Sequence, residues 1–127
     1  MRNFRELIVW KKGIEIVVEI YQLTALLPVD ERFGLKSQLQ RAAVSIPSNI
    51  SEGCSRGTDP AFIKFLEYAI GSAFEIETQL IAVEKLGLLP KEKLEKLNQM
   101  INEEEKMLNG LISSLKGRVN ILLTPNR

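Results

Sequence analysis

With 127 residues, 45% of them hydrophobic and 26% charged, the chain has the composition of one ordinary globular domain, long enough to bury a core without disulfides or structural metal. Its 17 basic and 16 acidic residues leave a net charge of +1, which argues against a generic nucleic-acid glue; the absence of histidine removes the commonest general base and metal ligand. The single cysteine, Cys54, cannot form an internal disulfide and suits a reducing cytosol.

The first predicted helix runs from roughly Glu6 to Leu27. Charges at Glu6, Lys11, Lys12, Glu15 and Glu19 interrupt its apolar run, so neither a signal-peptide core nor a membrane span is expected, and the location reads as cytoplasmic. With residues about 100° apart, Lys11, Lys12, Glu15, Glu19 and Gln22 share one arc. The apolar remainder divides into two sides: Leu7, Trp10, Ile14, Val17, Tyr21 and Leu26 on one, Val9, Ile16, Ile20, Leu23 and Leu27 on the other. A surface helix needs one stripe for its own core. The second predicts self-association, with Val9, Ile16, Ile20, Leu23 and Leu27 as the interface candidates. Left in water, Ile16, Ile20, Leu23 and Leu27 would each forfeit roughly 1.5–3 kcal/mol, in sum comparable with the about 5–15 kcal/mol that holds a domain together. Trp10, at a core register, is read as packing rather than a stacking platform.

Pro28 ends this helix, and Asp30 offers an N-cap for a second one reaching to about Gly53. Its apolar positions Leu35, Leu39, Ala42, Ala43, Ile46, Ile50 and Cys54 recur at threes and fours. Pro47, inside this pattern, deletes one backbone hydrogen bond and predicts a kink rather than a stop. Gly53 and Gly57 bracket a loop, and Thr58-Asp59-Pro60 reads as a cap with proline in the first turn of a third helix, roughly Pro60 to Leu86. Its core face is Phe62, Leu66, Ala69, Ala73, Ile76, Leu80 and Val83. Gly87 stops it, and Pro90 opens a fourth helix with Leu94, Leu97, Ile101, Leu108, Leu111 and Leu115 in one stripe. Glu103, Glu104 and Glu105 point in different directions and read as a solvated face, not a metal site. The pattern predicts an all-α, up-down-up-down four-helix bundle over residues 1–116, kinked at Pro47, with a flexible or docking tail over 117–127.

The second and third helices fold about the Cys54 to Asp59 loop, so residues equally far from it should meet: Arg41 near Ser72, Gln38 near Glu75, Ser45 near Tyr68. Arg41, Ser45, Asn49 and Glu52 stack along one helix, and Ser72, Glu75 and Gln79 along the other. A structural network of Gln38, Arg41, Ser45, Asn49, Glu52, Ser72 and Glu75 is the favoured reading; a ligand site is the alternative. No histidine activates Ser45, Ser48, Ser51 or Ser55, and no phosphate-loop pattern follows Gly53 or Gly57. Catalytic residues, metal and cofactor are therefore not expected.

The stretch Glu31-Arg32-Phe33-Gly34-Leu35-Lys36-Ser37-Gln38-Leu39-Gln40-Arg41-Ala42-Ala43-Val44-Ser45-Ile46-Pro47-Ser48-Asn49-Ile50-Ser51-Glu52-Gly53 resembles the small four-helix bundle proteins known from intervening sequences in bacterial 23S ribosomal RNA genes. Leu7-Ile8-Val9-Trp10-Lys11-Lys12, Ala69-Ile70-Gly71-Ser72 and Glu75 to Leu80 extend the resemblance over roughly residues 4 to 115. That family is similar in fold to the accessory variability protein of diversity-generating retroelements, a homopentamer with a basic surface that partners a reverse transcriptase and nucleic acid. The resemblance implies a homopentamer here, with RNA, DNA or a reverse-transcriptase-like protein as further partners. The near-neutral charge departs from that relative, as does Ser51 where the family commonly has alanine. A non-enzymatic, ring-forming assembly protein is expected. The alternative is a nucleic-acid-binding accessory protein using Arg32, Lys36, Arg56 and Lys64.

Overall fold

The computed structural model describes residues 2–31 and 33–123. Four helices, α1 (Ile8–Thr24), α2 (Leu35–Cys54), α3 (Asp59–Lys85) and α4 (Lys91–Leu123), form an up-down-up-down bundle, with 3-10 turns at Phe4–Glu6 and Val29–Glu31. Local chemistry sets most of the ends. Thr58 Oγ1 accepts from the Ala61 amide at 3.3 Å and proline follows in the first turn of α3. At its other end Gly87 takes φ 69°, letting the Leu88 amide reach the Val83 carbonyl at 3.0 Å.

Four boundaries differ from the sequence expectation, among them the end of α1, which stops at Thr24 and not at Leu27. Leu7 is extended, so α1 begins at Ile8. Asp30 sits in a 3-10 turn; the side chain that caps α2 is Glu31, whose Oε1 accepts from the Leu35 amide at 3.1 Å. The helix α4 continues through Gly117 to Leu123, in place of a tail starting at residue 117. Its last turns have tertiary partners: Arg118 donates to Asp59 at 2.7 and 2.8 Å, and Val119 packs against the core. Residues 124–127 of the expected tail lie outside the described residues.

The helices α2 and α4 each pack against both α1 and α3, while α1 and α3 do not touch, so α1 and α3 occupy diagonal corners. The core between them is built from Ile16, Ile20, Leu39, Ile46, Ile50, Phe62, Leu66, Ile76, Leu80, Leu94, Ile101 and Leu108. This corrects the interface assignment on α1. Val9, Ile16, Ile20, Leu23 and Leu27 are buried inside their own protomer; of the other stripe Ile14, Tyr21 and Leu26 are exposed, while Leu7, Trp10 and Val17 are half-buried against the core. Periodicity reveals two apolar sides but not which one turns inward. The flanking charges decide it: Lys12 reaches Glu103 at 2.8 Å and Glu19 receives Lys96 at 2.9 Å, clamping the Ile16 and Ile20 side against α4. Gly13 lies on that same side and lets α1 approach Ile46 and Pro47 of α2 closely.

Candidate functional site

Along the α2–α3 seam Arg41 donates to Gln38 Oε1 at 2.9 Å and to the Glu75 carboxylate. Above the loop the Ser45 and Ser72 hydroxyls lie 2.8 Å apart, and Asn49 Nδ2 donates to the Ser45 hydroxyl and carbonyl, both at 2.9 Å. Glu52 leaves this line and accepts from Arg56 at 3.3 Å. The register is one turn away from the equal-distance count: Arg41 meets Glu75 instead of Ser72, and Ser45 meets Ser72 instead of Tyr68. Helical side chains lean toward their own N-terminus. On antiparallel helices that lean carries α2 side chains away from the loop and α3 side chains toward it, so each α2 residue meets an α3 residue with a more distant Cα. The Arg41 and Glu75 side chains are 58% and 37% exposed, which makes this a surface pair that fixes register.

The acidic run on α4 is not uniformly solvated, contrary to expectation. Glu103 is exposed and bound to Lys12, which holds its carboxyl below the usual range. Glu104 is fully buried and Glu105 nearly so. Steps of about 100° send the three residues to the α1 rim, the core and the α3 side respectively. Both Glu104 oxygens lack a hydrogen-bond donor, and burial pushes the acid up to about 8, against the pull of Lys12 and with a small push from Glu15. Glu105 is likewise raised to about 8 by burial and by its neighbour Glu77. A clue was present in the chain: residue 104 falls three after Ile101 and four before Leu108, a gap in the apolar stripe.

Of the basic residues expected to cluster, Arg56 lies in the α2–α3 loop and Lys64 in the second turn of α3, at one end of the bundle. Lys36 starts α2 at the opposite end, so the set is not one patch. Arg32 lies outside the described residues. Cys54 is buried, which raises its thiol and makes it a poor nucleophile. Among the described residues no group of three His, Cys, Asp or Glu gathers as a metal site, and no helix is long and apolar enough to cross a membrane.

The outward faces of the diagonal helices are the other unusual surface. On α1, Ile14, Val18 and Tyr21 are exposed at helical spacing, beside a hollow lined by Val17, Gln22 and Ala25; on α3, Phe74 and Ile81 stand a heptad apart, both more than half exposed.

The family model of the 23S rRNA-intervening sequence protein matches residues 5–110, which span all of α1, α2 and α3 and most of α4. The chain belongs to this family. A crystal structure of a protein of unknown function from the S23 ribosomal protein family of Bacteroides thetaiotaomicron VPI-5482 is 30% identical to it, with a TM-score of 0.76 over 83% of this chain and 98% of that one. No curated protein matches the chain. Membership places the matched segment on the bundle itself, so both the seam of Arg41 and Glu75 and the buried Glu104 belong to the family portion of the chain.

Proposed function

We propose that this chain is a non-enzymatic assembly protein whose copies close into a ring, serving as a scaffold for RNA or a protein partner. The observation that carries this is the pair of apolar faces on diagonal helices: Ile14, Val18 and Tyr21 of α1 and, on the far corner, Phe74 and Ile81 of α3. A two-fold dimer uses one patch on both partners and would leave the other face in water. Seating the α1 face of one copy on the α3 face of the next is a heterologous contact, and such contacts form closed rings or open filaments. Large apolar side chains aligned on a helix face, and not scattered singly, mark interaction surfaces. The resemblance to the accessory variability protein favours five copies.

Sedimentation equilibrium coupled to size exclusion with light scattering tests this. A ring of fixed stoichiometry, five copies on this reading, is expected. A compact monomer across the accessible concentration range would sink the proposal.

A further inference from the structure

The end of the bundle formed by the Phe4–Glu6 turn, the α2–α3 loop and the last turns of α4 gathers guanidinium groups. Arg2 lies over the Phe62 ring with 4.2 Å to the centroid, Arg5 over Phe4 at 4.5 Å, and Arg56 over Phe65 at 4.7 Å. Arg118 joins them through Asp59, and of the described arginines only Arg41 lies elsewhere. A guanidinium held over a phenyl ring is restrained in position while keeping N–H groups that can donate to oxyanions; Arg2 and Arg56 also donate to Asp59 and Glu52 respectively.

The charge at this pole is uneven. Its cationic side chains are Arg2, Arg5, Arg56, Lys64, Lys116 and Arg118, and its carboxylates are Glu6, Glu52, Asp59 and Glu67. The difference, +2, exceeds the +1 of the whole chain, so near-neutrality overall conceals a basic pole. Asp59 is shared by Arg2 and Arg118, leaving one of these two charges without a counterion. Arg5 has no ion-pair partner among the described residues. Beside it opens a cavity of 360 Å³ lined by Arg2, Asn3 and Arg5 on one side and Ser51 and Ser55 on the other, with no carboxylate in its wall.

We propose that this pole binds the phosphodiester backbone of a nucleic acid strand, with Arg2, Arg5 and Arg56 each meeting a phosphate and Asn3 lining the path between them. Several guanidiniums gathered at one end of the bundle suit a ligand with several anionic groups better than a single acidic side chain. The site differs from the one expected from sequence: it keeps Arg56 and Lys64, excludes Lys36, and adds Arg2, Arg5 and Arg118. It is independent of ring formation, which sedimentation reports without any nucleic acid present.

Fluorescence anisotropy of labelled single-stranded RNA and DNA of the same short sequence, titrated with the full chain over a range of salt, tests the site. Binding is expected at low salt, with log affinity falling against log salt by about 0.7 per phosphate contacted. Arg5→Gln and Arg56→Gln should each weaken it several-fold and flatten that slope by about one contact. Lys36→Gln, at the other pole, should leave it unchanged. A preference for RNA over DNA would identify the natural strand. No binding at low salt overturns the proposal, as does equal weakening by Lys36→Gln. Circular dichroism shows that each variant is folded. Arg5 is exposed and on the short N-terminal turn, so Arg5→Gln alone decides the outcome if Arg56→Gln fails to fold.

Discussion

A Cβ at Gly13 would stand 3.4 Å from Glu104 Oε2 and equally 3.4 Å from Pro47 Cβ, so the Glu104 carboxyl fills the notch where a glycine of α1 faces a proline of α2. Pro47 has no N–H to give to the Ala43 carbonyl one turn back. A protonated carboxyl is the form of Glu104 that can donate a hydrogen bond in this apolar neighbourhood, whereas an ionised one would be a buried, unpaired charge. The charged groups around it are few: Lys12 and Glu15 from α1, with Lys12 already engaged by Glu103. The α2 face against it, with Ile46 and Pro47, carries no charge.

This arrangement makes stability depend on pH. The Glu104 acid lies at about 8 in the folded chain against an ordinary 4.5, so the folded state holds a proton that the unfolded state has lost across that interval. The contribution of Glu104 is therefore fully present below 4.5, is lost as pH rises toward 8, and changes no further above it, whereas Asp59 and Glu103, held below the usual range by their cationic partners, act in the opposite direction at acid pH. Glu105 shifts in the same direction as Glu104. Urea denaturation of Glu104→Gln across this range should give a visibly shallower decline, with a gain of about 1–3 kcal/mol over the parent at the alkaline end. An unchanged slope would show that Glu104 is ionised in the fold.

The two sides of α1 separate folding from assembly. Ile20→Ala, in the core, should cost about 2–5 kcal/mol of protomer stability. Val18→Glu, on the exposed side, should leave the helical signal intact and abolish association, read by light scattering. Phe74→Glu on α3 should do the same if that face receives α1.

Gly53 packs against α3 with no room for a side chain: a Cβ there would sit 2.8 Å from Phe65 Cβ and 2.9 Å from Phe62 Cδ1. Relief requires the helices to part, because the Phe65 Cβ is fixed to the α3 backbone. Gly53→Ala should destabilise by about 1–3 kcal/mol in chemical denaturation. Gly57→Ala, in open space, serves as the control.

The pair of Arg41 and Glu75 should matter far less. Exposed ion pairs contribute about 0–1 kcal/mol, so Glu75→Gln is expected to shift the unfolding midpoint only slightly. A large loss of stability would mean that the seam is shielded in the assembled state.

Periodicity and punctuation carried the architecture. The apolar spacing of Phe62 to Val83, the Thr58 cap and the Gly87 stop placed α3 almost to the residue, because those signals act within a turn or two of the chain. The polar seam was legible as a set but displaced by a turn, since the lean of side chains along a helix enters only when two helices are laid side by side. Arginine stacking at the basic pole was not legible, because Arg2 and Phe62, or Arg118 and Asp59, are far apart in sequence.

The amino-acid order by itself determined four amphipathic segments, their breaks and the family pattern that runs through them, all consequences of local backbone preference and of which residues avoid water. Tertiary structure alone decided which apolar side of α1 turns inward, that Glu104 is buried while Glu103 stays wet, and that scattered arginines converge at one end. These depend on which helix stands beside which, and a helix with two oily sides or a run of three acids is compatible with more than one neighbour until the charges on its rim find partners across the bundle.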